Sequence, residues 1–194
     1  METERQQNLN TPPDGPEAAD TRARILEAAL VEFAEFGIAG ARVDRIAEKA
    51  GVNKALLYYY YGKKQRLYVE TLATYLKNVV SAARLRLEDS RSLEETLLTL
   101  ADHYRNVFLS RPEIPQLILR ELADPDSELV PEWAARIRES GVPALIRSHV
   151  EAEVNRGEVR PVDLRQAMVS FITMQLVYYL MAPLIDRVLQ IDDR

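Results

Sequence analysis

The stretch that most constrains the fold is Val43 to Tyr61, VDRIAEKAGVNKALLYYYY, two helix-forming runs of about eight residues that meet at Gly51. Helices this short do not persist alone, because nucleation is unfavourable and isolated helices below ~12–15 residues are marginal in water. They must be held by packing. Ile46, Ala47 and Ala50 form one face of the first run, and Ala47 is small enough to let a crossing helix come close. Gly51 follows at the tight turn, where a positive φ is unstrained only for glycine. Val52 and Leu57 then supply the inward face of the second run. Apolar, alanine, three residues, glycine, apolar is a helix-turn-helix arrangement.

The rest of the chain reads as helix as well. Long Ala/Leu/Glu/Arg segments, only 7 glycines in 194 residues and few β-branched runs predict an all-α fold. Residues 1–20 are polar, acidic and proline-containing, and are expected to form a disordered tail. Asp20 or Thr21 can cap a first helix carrying Ile25, Leu26, Ala29, Leu30, Phe33 and Phe36 to Gly37, with a connection over 38–42. A long helix is predicted from Lys63 to about Glu88. Ser92 and Glu95 have capping-box spacing ahead of a helix to about Ser110. Pro112 and Pro115 open another that ends near Ala123. Helix over 128–155 should be interrupted around Gly141 and Pro143, and Asp163 should cap a helix to about Met181, kinked or restarted at Pro183.

Composition excludes several classes of function. With no cysteine there is no thiolate metal site, no thiol nucleophile and no disulfide, which suits a reducing cytoplasm. No apolar run reaches the ~18 residues of a membrane span, so no membrane partner is expected. The two histidines, His103 and His149, are far apart, and there is neither a phosphate-binding glycine loop nor a metal-spaced His/Glu set. No catalytic residue, metal or cofactor is expected. A helical adaptor that binds no DNA is the more serious rival, and it predicts no salt-sensitive association with DNA. The formal net charge of −5 conceals an asymmetry: residues 21–66 carry nine basic and five acidic side chains, against an excess of acid on either side. A cationic module beside acidic segments is what a chain needs when one end meets phosphates. Scatter alone could also produce a swing of this size.

Two local features sharpen this reading. Tyr58, Tyr59, Tyr60 and Tyr61 are consecutive, and at about 100° per residue they cannot all face a core. A phenol can donate to a phosphate oxygen and pack on a sugar or a thymine methyl. Equally, Tyr58 and Tyr61 could pack on neighbouring helices with their hydroxyls at the edge. Lys63 and Lys64 open a long helix, where the dipole disfavours cations by about 0.3–1 kcal/mol. A phosphate near that end would reverse the sign, whereas solvated lysines would need no partner.

Taken together, RARILEAALVEFAEFG from Arg22 and the continuous run from Val43 to Tyr68 resemble the DNA-binding domain of the tetracycline-repressor (TetR) family over about residues 22–68. The resemblance implies a DNA-binding domain over 21–66 and an effector-binding and dimerisation domain over 67–194. It implies a regulator, most simply a repressor, that binds a palindromic double-stranded DNA operator as a homodimer and is released by a small-molecule effector. A long fourth helix would act as a lever between the two functions. Activation instead of repression is compatible with the same residues. Carried over by position, Asn53, Lys54, Ala55, Tyr58, Tyr59 and Tyr60 would face DNA, with Lys64 on a phosphate and Arg42 and Val43 at the start of the second helix. Arg42 stands where threonine is common in the family, and Ala55 where glycine is.

The remainder has no comparable signature. His103, Tyr104, Phe108, Leu117, Arg120, Trp133, Phe171 and Met174 are the candidate effector contacts, or else simply core. Leu164, Met168, Ile172, Gln175 and Tyr179 are the candidate dimer face, or else the stripe of a monomer's central helix.

Overall fold

The computed structural model describes residues 16–190. Among these the chain forms nine helices and no strand: α1 (Pro16–Gly40), α2 (Val43–Lys49), α3 (Lys54–Tyr61), α4 (Lys64–Arg86), α5 (Leu93–Ser110), α6 (Glu113–Leu122), α7 (Leu129–Glu139), α8 (Val142–Arg156) and α9 (Leu164–Leu189). Of the tail expected over 1–20, residues 1–15 lie outside the described residues, and 16–20 are helical. Helix α1 begins at Pro16, whose fixed φ and missing N–H suit a first turn, and Glu17 complements the dipole there. Thr21, expected as a possible cap, is instead buried inside the helix. The helical path breaks at Gly37, with φ 65° and ψ 176°, as the sequence predicts.

The chain divides into two compact units. One takes in the described residues up to Tyr75 together with Gln116–Ile118, and the other holds Leu76–Pro115 and Leu119 onward. The boundary falls inside α4, nine residues beyond the expected position at 66. The reason lies in packing: Leu67, Tyr68, Thr71 and Leu72 are buried, Tyr68 meets Phe33 edge-on at 4.9 Å, and the Tyr75 hydroxyl donates to Glu27 at 2.6 Å. The first turns of α4 are thus part of the N-terminal core. That core is Ile25, Ala29, Leu30 and Phe33 of α1, Ile46 and Ala47 of α2, and Leu56 and Leu57 of α3.

The second unit is built around Ala83, Leu87, Leu100, Val142 and Ile146, with Tyr104, Leu145, Val150, Leu164, Met168 and Phe171 packed against them. Local caps set its helix ends. Ser92 Oγ accepts from the Glu95 N–H at 3.1 Å, while the Glu95 carboxylate reaches the N–H of Arg91, one residue earlier than a standard capping box. Asp163 Oδ1 accepts from the Gln166 N–H at 3.1 Å. Gly141, in the left-handed region at φ 78°, separates α7 from α8. Helix α9 runs unbroken through position 183, where a kink or restart was expected.

Candidate nucleic-acid interface

The frame of the site is a carboxylate. Glu32 of α1 has no exposed surface, and its Oε1 accepts the backbone N–H of Arg42 at 2.9 Å and Nε of Arg45 at 2.7 Å. Arg45 adds a second contact at 2.6 Å, and Lys49 Nζ lies 3.5 Å from Oε2. Burial pushes the Glu32 pKa up, but the Arg45 and Arg42 hydrogen bonds and the charges of Arg45 and Lys49 outweigh it, holding the carboxyl below its ordinary value. The Arg45 guanidinium also lies 4.2 Å over the Phe36 ring. These contacts seat α2 on α1. At the other end of α2, Arg24 donates to the Ala50 carbonyl at 2.9 Å, closing the turn at Gly51, where φ is 65°. A side chain at Gly51 would be strained in φ and would crowd that guanidinium.

Helix α3 is then set by its cap and its core residues. Asn53 Oδ1 accepts from the Leu56 N–H at 2.7 Å, so the side-chain oxygen of this residue, expected to face DNA, is engaged in capping. Leu56, Leu57 and Tyr61 point inward, and the Tyr61 hydroxyl donates to the Arg22 carbonyl at 3.4 Å. Burial pushes the Tyr61 phenol up to about 12, so it remains a neutral donor. Outward stand Lys54, Ala55, Tyr58 at 41% exposure and Tyr59 at 67%. Their spacing, 54–55 and 58–59, is one face over two turns. Tyr60 sits between the faces: its hydroxyl is buried with no hydrogen-bond partner among the described residues, and Arg22 lies 5.0 Å over its ring. As a hydroxyl contact to DNA, Tyr60 is withdrawn.

The structure also separates the cations. Lys54 pairs with Asp44 at 2.8 Å, bridging α3 to α2; the contact lowers the Asp44 pKa and raises that of Lys54. Lys64, predicted on a phosphate, donates to the carbonyls of Ala39 at 3.3 Å and Ala41 at 3.2 Å. The connection between α1 and α2 leaves those carbonyls without helical partners, and a lysine at the head of α4 satisfies them. Arg42 and Lys63 remain exposed. Val43 is buried and is withdrawn as a side-chain contact. Most of the positive surplus of this segment is therefore engaged within the protein. The sequence reading missed Glu32, Arg24 and the role of Lys64; the only signal was an acidic residue embedded in the apolar face of α1.

Residues 25–71 match the family of bacterial regulatory proteins of the tetR type. A helix-turn-helix transcriptional repressor of Streptomyces coelicolor is 39% identical over 121 residues, which cover 62% of this chain and 58% of that protein. The repressor NicS of Pseudomonas putida is 31% identical over 106 residues, covering 54% and 50%. The chain thus spans about half of the length of these curated relatives. A TetR-family transcription regulator from Marinobacter aquaeolei superposes with a TM-score of 0.72 at 24% identity, covering 85% of this chain and 84% of the other. Residues 25–71 thus carry a DNA-binding segment of the TetR type. The described residues share the all-helical fold of that TetR regulator, with an N-terminal helix-turn-helix.

In TetR terms the remaining candidates lie in the helical region after the head, and they do not form one set. His103 is buried, and its Nε2–H donates to the Val79 carbonyl at 2.9 Å; burial pushes its pKa down, so it stays neutral. Tyr104 stacks on buried Phe108 with centroids 5.8 Å apart, and burial raises its pKa. Trp133 is buried, and Phe171 packs on the second core. Three others leave the proposed pocket. Leu117 groups with the N-terminal unit, Arg120 is exposed beside the buried stripe of Ile114, Leu117 and Glu121, and Met174 is 67% exposed. An open groove of about 570 Å³ between α8 and the loop before α9 shares only Leu164 with the predicted residues.

The dimer candidates need correction too. Leu164 and Met168 pack inward on the core, Gln175 is half-buried, and the side chain of Tyr179 lies outside the described residues. Ile172 is exposed. Val169 is exposed near it, and on another side of the helix Met174, Tyr178, Met181, Leu184, Ile185 and Val188 form an apolar stripe along the C-terminal half of α9. Among the described residues no helix is long and apolar enough to cross a membrane.

Proposed function

We propose that this protein is a ligand-responsive transcriptional regulator, most simply a repressor, that binds a palindromic operator as a homodimer. The observation that carries the reading is the exposed strip of Lys54, Ala55, Tyr58 and Tyr59 on a short helix rigidly seated by Glu32, Arg24 and Asn53. Paired phenols and alanine suit sugar and thymine-methyl contacts, while exposed Arg42 and Lys63 at two helix starts suit phosphates. One head of this size gives weak, sequence-tolerant binding, and two heads one DNA turn apart bind far better.

The exposed apolar face of α9 is the surface that would pair two copies. Soluble monomers rarely expose contiguous apolar patches beyond a few hundred Å². The effector would act on α4, which begins beside the reading helix and continues into the second unit. A Bacillus subtilis regulator of this fold is crystallised with stearoyl-CoA, and another, AibR, with isovaleryl-CoA and operator DNA. Acyl-CoA thioesters are accordingly the first effector class to test.

Selection of bound sites from random duplex DNA tests the proposal. The expected product is a palindrome with half-site centres about 10 bp apart, whose affinity falls steeply with salt. Material that ignores every duplex at low salt, with and without acyl-CoA, overturns it.

A further inference from the structure

Glu32 does more than seat a helix, because of which groups it engages. Arg45 and Lys49 stand one turn apart on α2, keep 35% and 43% of their side-chain surface exposed, and both close on a carboxylate with none. Arg45 is held on three sides, by Glu32, by the Gly40 carbonyl at 3.4 Å and by the Phe36 ring. Released, both cations would stand as unpaired, partly exposed charges on α2, free to be drawn to phosphates. Phosphate contacts add affinity but carry no sequence information. A head with every cation available would therefore hold any duplex, and discrimination would fall.

We infer that Glu32 is a positioning residue that sets sequence discrimination by withholding Arg45 and Lys49 from the phosphate backbone. This rests on the DNA-binding reading above. The carboxylate also takes the Arg42 N–H, so the same group fixes where α2 starts and where the exposed Arg42 side chain departs. The one loose contact, Lys49 at 3.5 Å from an oxygen that lacks a hydrogen bond, marks Lys49 as the cation most easily released.

The test compares full-length wild-type and Glu32→Gln protein on two duplexes across a salt series. One duplex is the tightest recovered from the random-library selection, and the other is a shuffled copy. Each newly contacted phosphate steepens the logarithmic salt dependence by about 0.9. Glu32→Gln is expected to steepen the slope on the shuffled duplex by about one to two such steps per head, and to lower the ratio of selected to shuffled affinity about tenfold. Adding Arg45→Gln and Lys49→Gln should return the slope to the wild-type value, which a purely structural defect would not do. Lys49→Gln alone, in an otherwise wild-type head, should leave the slope unchanged. A folded Glu32→Gln with wild-type slope and ratio overturns the inference, as does a shallower slope for Lys49→Gln, which decides the matter even if Glu32→Gln does not fold. Wild-type protein that ignores both duplexes overturns the DNA-binding reading itself, and this inference with it.

Discussion

In the N-terminal unit a fully buried carboxylate answers two cations and a backbone N–H, Arg24 closes the C-terminal end of α2, and Asn53 caps α3. In the second unit α9 leaves Val169, Tyr178, Leu184 and Val188 half or more exposed. The first unit seats its short helices by internal hydrogen bonds and ion pairs and exposes polar and phenolic groups. The second leaves an apolar surface uncovered. A head finished in this way can read a ligand as a rigid object, whereas a helix left like α9 is finished only by another apolar surface.

The contrast can be broken most severely in the head. Leu57 has no exposed surface, and Leu57→Ala should cost about 2–5 kcal/mol through lost burial and a residual cavity. Hydrogen exchange should then accelerate in α2 and α3 while the core around Leu100 and Ile146 keeps its protection. Uniform acceleration in both units would show that the two are not separately finished.

On α9 the expected effect is on assembly. Tyr178→Glu combined with Met174→Glu, one turn apart on the same face, should convert a dimer to a monomer in sedimentation, with little change in helix content. Affinity for the selected palindrome should fall about a hundredfold or more through lost bivalency. Unchanged sedimentation would remove α9 from the interface.

A smaller effect concerns acid. The Glu32 carboxyl is held below its unfolded value, so its stabilisation is complete above that value, near 4.5, and is lost as pH falls through the lower folded one. Glu32→Gln should flatten the acid limb of the stability curve; an acid limb identical to wild type would mean that the carboxylate is not linked to folding. The smallest change is expected at Ser92, where Ser92→Ala removes a cap bond worth about 1 kcal/mol from α5 and should leave DNA binding unaltered. A thermal scan that shows no loss would leave Ser92 without a capping role.

What was legible in the sequence follows the same division. Ser92, Asp163, Gly51 and Gly141 act on neighbours within a few residues, so their roles could be read from spacing alone. The reading helix was legible because four adjacent tyrosines cannot all be buried. The partners of Glu32 and Lys64 were not, since they bond across 10 to 25 positions and depend on how α1, α2 and α4 meet. The start of α1 was missed because its first turn carries no apolar stripe, only a proline and an acid that suit a helix end. Leu164 and Met168 were placed on the wrong side of α9 because an apolar helix that is covered on one side and bare on the other has no polar stripe to mark the difference.

Lys64 binds the carbonyls of Ala39 and Ala41 while its own backbone opens α4. The entry of the long helix and the link preceding α2 are thereby pinned at a single ammonium group. A tilt imposed at that point would carry α1 and α2 along instead of flexing at Gly62. The head should swing as one piece, so regulation would alter where the tyrosines are presented and leave their arrangement relative to one another intact.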